Sequence, residues 1–203
     1  MKPLNSVLLS ALLLVLAAGC THHMPMAVMP TAMPVGDKLP RHAALVLNKD
    51  LTDYKYANHM MGDAFEYKLG APLQDYAKHV TGAVFEQVDE APSADQAFAN
   101  ASADIVLIPR AVKADKSAGV WAASKQDFTL VIEWVAKDRA THNTIWLQTI
   151  TADASGTMGS AFSYKSHSRQ LMQKLFDDLS LKTFEAMHNA PELKAPAVST
   201  AAK

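Results

Sequence analysis

The chain has a single cysteine, Cys20, in 203 residues, so no intramolecular disulfide is open to it. It has no stripe rich in lysine or arginine: 19 basic residues stand against 20 acidic ones, a net charge of −1. That balance lacks the electrostatic footprint of a nucleic-acid-binding protein. It has no apolar run long enough to cross a bilayer as a helix. The longest, Val7 to Ala18, is interrupted only by Ser10 and measures about 18 Å at ~1.5 Å per residue. A hydrocarbon core is about 30 Å thick. There is no G-x-S-x-G motif, no G-K-[ST] phosphate loop and no dinucleotide-type glycine spacing. Internal repeats are also absent.

Against these gaps stands an ordinary globular composition, 49% apolar and 19% charged. The length suits one domain with a substantial core rather than two.

The first twenty residues, MKPLNSVLLSALLLVLAAGC, pair a basic start at Lys2 with the short apolar run, the layout of a targeting segment. Leu16-Ala17-Ala18-Gly19-Cys20 resembles the lipobox of bacterial lipoproteins. There, small residues let a peptidase approach the backbone, and the cysteine thiol receives diacylglycerol before cleavage. The resemblance implies a signal peptide over 1–19 and a mature chain that begins at lipidated Cys20. It also implies attachment by several acyl chains, which hold a protein stably where a single one does not. Residue 21 is threonine, not the aspartate that favours inner-membrane retention in such lipoproteins. By that resemblance the expected location is the periplasmic face of the outer membrane.

Residues 20–40 carry Pro25, Pro30, Pro34 and Pro40 without helical or strand periodicity. They read as a semi-stiff linker that holds the domain clear of the lipid. A second reading rests on His22, His23, Met24, Met26, Met29 and Met33. Thioether sulfur suits Cu(I), and imidazole suits copper or zinc. Because the prolines restrict wrapping around an ion and the methionines do not recur regularly, the tether is preferred and no metal ligand is assigned.

Residues 41–189 read as an α+β domain. Residues 42–50 begin as a buried strand, and 65–69 alternate as a short half-buried one. Leu73, Tyr76, Ala77, Val80, Val84 and Val88 form the apolar face of a helix that opens near Pro72. The tail of that helix, VFEQVDE, is open between helix and strand. Residues 93–102 suit a short helix capped by Ser93. A strand follows over 103–115, and Pro109 places it at an edge or a bulge. Over 126–138, Phe128, Leu130, Ile132 and Trp134 alternate with Thr129, Val131, Glu133 and Val135, and 143–156 is the natural antiparallel partner. A long helix spans about 166–188. Residues 190–203 read as a disordered tail. The expected fold is a mostly antiparallel sheet covered on one face by two helices. The stretch 69–88 followed by 103–109 resembles the helix-then-strand core of small periplasmic lipoproteins. These include the lipoprotein partner of the lipopolysaccharide translocon, the auxiliary lipoproteins of lipid transporters and the N-terminal domain of the Tol-system translocation protein. Those families act by binding, so the resemblance carries no catalytic residues.

Candidate chemistry within the domain is thin. Ser163, Ser166 and Ser168 lie near His167 in sequence, but without an oxyanion motif. No pair among His42, His59, His79, His142, His167 and His188 has the i, i+4 spacing of a helical zinc site. His188 suits the negative end of the last helix. Asp89-Glu90 and Asp177-Asp178 read as solvated faces. Trp121, Trp134 and Trp146 suit packing before stacking on a sugar or headgroup. The sequence therefore implies a non-enzymatic lipoprotein. Cys20 attaches it to the membrane, it binds an envelope protein or lipid partner, and it needs no cofactor. Periplasmic copper binding through the Met/His segment is the alternative.

Overall fold

A computed structural model of the chain describes residues 21–25, 27–28, 31–34, 36–60, 63–118, 125–157 and 164–195. The signal-like segment, Cys20, Met26, Met29, Trp121, Ser163 and the tail after residue 195 lie outside the described residues.

The main sheet has five strands in the order β5-β2-β6-β7-β8: β2 is Leu39–Val46, β5 Phe85–Ala91, β6 Ile105–Ala118, β7 Lys125–Asp138 and β8 Thr144–Thr157. Its two longest pairings, β6 with β7 and β7 with β8, are antiparallel. β2 lies parallel to both neighbours. The alternation in β7 works as the sequence implies: Phe128, Leu130, Ile132 and Trp134 are fully buried, and the residues between them are half-exposed. The core face is covered by α2 (Gly70–Val84) and α4 (Tyr164–Asn189). Leu73, Tyr76, Ala77, Val80 and Val84 of α2 meet Leu171, Met172, Leu175, Phe176 and Leu179 of α4 in one apolar cluster with the sheet. The expected α+β fold with two helices on one face is what forms. A short helix, α3 (Ala94–Ala99), covers part of the opposite face with Ala97 and Phe98. Ser93 caps it, accepting from the Gln96 N–H. The four-residue helices α1 (Lys49–Thr52) and α5 (Pro191–Lys194) complete the set.

Three findings depart from the sequence reading. A second sheet exists, in the order β1-β4-β3, with β1 Thr21–Pro25, β3 Lys55–Met60 and β4 Asp63–Lys68. Its strands β1 and β3 (THHMP and KYANHM) have little β-propensity, and only main-chain pairing with β4 makes them strands. Next, VFEQVDE, which the sequence leaves open, is a strand after Val84, so Val88 lies in β5 and not on the helix face where its spacing put it, and α5 extends the ordered chain into the expected tail. Finally, Pro109 sits neither on an edge strand, because β6 is central, nor in the bulge of β6, which falls between Ala111 and Lys113. The reason is local: β2 pairs only with Ile105–Leu107, so at Pro109 only β7 is still paired, and a missing N–H costs no second ladder.

Candidate functional site

The N-terminal segment is not a free leash where it is described. β1 runs parallel to β4, with Thr21 opposite Ala64 and Pro25 opposite Lys68. His23 Nδ1 lies 3.2 Å from Glu66 Oε1. Beyond β1 the chain crosses the valley between α2 and α4. Val28 and Met33 pack against the core there. Thr31 Oγ1 donates to Asp177 Oδ1 at 2.6 Å, and the Thr31 carbonyl accepts from His79 Nε2 at 2.5 Å. Further on, the Asp37 carbonyl accepts from His188 Nε2 at 3.2 Å, and the His188 ring stacks on Phe184. Two imidazoles on the helices thus hold two carbonyls of one strap. Of the Met/His donors, His23 is engaged with Glu66 and Met33 with the core. His22 and Met24 lie in β1, where the backbone is committed to pairing. Among the described residues no group of three or more His, Cys, Asp or Glu side chains is placed to hold a metal ion.

The remaining sequence candidates take structural positions. Ser168 is 1% exposed, and its hydroxyl has no hydrogen-bond partner among the described residues, nor does His167 Nε2. Ser168 is therefore not bonded to an imidazole. His167 packs over Gly156, where a Cβ would come within 2.8 Å of its ring. His42 Nε2 lies 2.8 Å from Asp89 Oδ2. The Asn100 amide first, and His42 after it, hold the Asp89 carboxyl below the usual carboxylate range. His142 adopts φ +62° in the β7–β8 turn, and its ring stacks on Phe98 at 4.1 Å. Trp134 is buried beyond any ligand. Its Nε1 donates to Tyr76 Oη at 3.0 Å, and that oxygen lies 2.6 Å from Thr183 Oγ1. Burial pushes the Tyr76 hydroxyl pKa well up.

Two arrangements escaped the sequence. Lys116 is 6% exposed, and its Nζ donates to Tyr67 Oη at 2.6 Å, beside the mutually packed rings of Tyr56, Tyr67 and Phe128. A lysine within a strand reads locally as a solvated residue, so only the β6–β4 contact identifies it. The second arrangement is the outer edge of β8. Lys182 Nζ of α4 donates to the Thr151 carbonyl at 3.0 Å, and Asp178 Oδ2 accepts from the Asp153 N–H at 3.2 Å. These two side chains, themselves 2.7 Å apart, cover one half of the edge. Beside the other half runs a groove of about 440 Å³, lined among others by Gln148, Thr149, Ile150, Glu185, Ala186 and Asn189. On the sheet face away from α2 and α4, Ile108, Val135 and Leu147 stand in cross-strand register. Leu147, at the open edge, is 57% exposed.

No family model matches the sequence, and no curated protein matches it. Solved structures do share its architecture. A Xanthomonas campestris protein of family DUF330 aligns with TM-score 0.51 at 10% identity, covering 80% of this chain and 94% of that one. A protein classed as a neuraminyllactose-binding hemagglutinin homolog, from Helicobacter pylori, gives TM-score 0.52 at 9% identity, covering 83% of this chain and 97% of that one. A minor lipoprotein from Acinetobacter baumannii gives TM-score 0.44 at 13% identity over 75% and 93% of the two chains. The first two likenesses establish a common fold and nothing further.

Proposed function

We propose that the chain is a bacterial lipoprotein, anchored through acylated Cys20 at the periplasmic face of the outer membrane. Its α+β domain acts there by binding a protein or lipid partner of the cell envelope rather than by catalysis. The observation that carries the reading is the order LAAGC behind a short apolar run and a basic start, with Cys20 the sole thiol. Acylation accounts for that lone exported cysteine. Among the described residues no helix is long and apolar enough to cross a membrane, so the lipid would supply the attachment.

β1 adds a geometric consequence. It begins at the residue after Cys20, in register with β4, so no spacer separates the anchor from the folded body. The β1-β4-β3 sheet would then lie against the lipid surface.

The test is expression in a double-membraned bacterial host with a labelled palmitate analogue. The wild-type chain should take up label and follow the outer-membrane fraction, and Cys20→Ser should do neither. Equal labelling of the two, or release of the wild type by a simple salt wash, overturns the reading.

A further inference from the structure

The edge of β8 is half closed, and the open half has the form of a self-pairing surface. Sheet edges are ordinarily blunted by charge, proline, bulges or covering elements. The opposite edge obeys this: β5 carries Glu86, Asp89 and Glu90 in seven residues. On β8 the outward Thr151 carbonyl and Asp153 N–H are taken by Lys182 and Asp178. Strand alternation places Leu147 and Thr149 in the same outward phase. No described side chain reaches them. A bulge leaves Ile145 unpaired with β7 and marks the other limit. Between these limits the residues are Trp146, Leu147, Gln148, Thr149 and Ile150, without a charge or a proline.

We infer that this stretch pairs antiparallel with the same stretch of a second copy of the chain, about a two-fold axis through Gln148. The midpoint of the uncovered groups requires that register. Leu147 then exchanges both main-chain bonds with Thr149 of the second copy, and the reciprocal pair does the same. Trp146 faces Ile150 of the copy on the helix side, an aromatic pair with a β-branched residue of the kind that stabilises sheets. On the other face, Leu147 stands opposite Thr149 of the copy, and the two Leu147 side chains lie on the diagonal across the axis, within reach of long side chains. Pairing one step further would set Ile145 against Thr151, where Lys182 stops it. A second copy fits because the same five residues on each side bring no charge into the junction. The inference is independent of the lipid anchor.

The test uses the full chain with Cys20→Ser, purified in detergent, which has no other thiol. A Gln148→Cys change then places two Cβ atoms across the axis about 4.5 Å apart in a non-hydrogen-bonded pair, within disulfide reach. Mild oxidation should convert this variant to a covalent dimer and leave the exposed control Lys113→Cys monomeric. Without cross-linking, the sedimenting mass of the Cys20→Ser chain should double with rising concentration. That doubling should vanish in Thr149→Pro, whose lost N–H points away from β7, and in Leu147→Lys, which leaves the backbone unchanged. Equal cross-linking at 113 and 148, or association unchanged in Leu147→Lys, refutes the pairing. A monomer at every concentration refutes it too.

Discussion

Replacing residues 22–34 with a Gly/Ser segment of equal length separates a strap from a leash. A leash carries no contacts, so its replacement should leave stability within about 0.5 kcal/mol, as for surface changes generally. The strap has specific losses. Val28 and Met33 are each half-buried against the core, worth about 1 kcal/mol apiece at half the value of a fully buried side chain. The Thr31 hydroxyl loses its bond to Asp177, about 1 kcal/mol more. Replacing Pro25, Pro30 and Pro34 frees the unfolded chain by a further 1 kcal/mol or so in total, taking the low end per residue. The sum is about 4 kcal/mol, or a melting temperature lower by roughly 8–16 °C for a domain of this size. Urea denaturation followed by far-UV circular dichroism measures it. Hydrogen exchange should show faster exchange confined first to α2 and α4, on which the strap lies. A midpoint unchanged within error refutes the strap and restores the leash. Titrating the same pair of proteins with Cu(I) tests the Met/His reading separately, because a metal would have to draw His23 from Glu66 and Met33 from the core.

Tyr76→Phe strands the Trp134 indole N–H and the Thr183 hydroxyl in the core, at about 1–3 kcal/mol each, which chemical denaturation should report as a loss of a few kcal/mol. Its pH dependence has a definite sign. The folded pKa of Tyr76 is raised, so its contribution is full below the unfolded value of about 10. It is lost above that pH, at up to about 1.4 kcal/mol per pH unit. The Phe variant should therefore show a shallower alkaline decline than the wild type, with Tyr54 and Tyr56, also raised by burial, supplying the remainder. Gly70→Ala would set a Cβ 1.8 Å from the Thr52 carbonyl oxygen. Backbone has to move, so a loss of about 3 kcal/mol is expected, although alanine is the better helix former. Gly156→Ala crowds the His167 ring at 2.8 Å, with Leu171 at an ordinary 3.6 Å, and should cost about 1 kcal/mol. A His167→Ala background should remove that cost, read as a coupling in a double-mutant cycle.

What the sequence made legible was whatever is encoded locally. The Phe128-to-Trp134 alternation, the Ser93 cap and the helical stripe from Leu73 to Val84 each follow from a period or a single residue type, and each stands where it was expected. β3 and β1 were not legible, because Lys, Ala, Asn, His and Met carry no strand signal of their own. Partnership with β4 decides them. Prolines at 25, 30 and 34 favour extended backbone, which a leash and a strap share, so composition could not distinguish the two. What distinguishes them is the reach of His79, Asp177 and His188, all of them at least 40 residues away in sequence. The edge of β8 hid for a similar reason. TIWLQTI is an ordinary strand in sequence, and Lys182 and Asp178 read as an ordinary i, i+4 pair on a helix. Only when α4 lies beside β8 does that pair become a cover that stops partway.

The strap and the open edge bear on each other. The small sheet packs on the main one around Lys116 and Phe128, and Phe128 stands opposite Ala154 of β8. From Ala154 back to Gln148 is about 20 Å of strand at ~3.3 Å per residue, so the open edge stands well clear of the end where β1 begins. A lipid on Cys20 would hold that end to the bilayer with no slack, because β1 follows at once. Two copies paired through Gln148 must then send both anchors into the same membrane, and only a two-fold axis along the membrane normal allows it. Confinement to a surface in one orientation raises the effective concentration of one edge for another. A short uncharged pairing that forms in solution would thereby be stronger still on the membrane. A long leash would forfeit that gain by letting each copy turn freely.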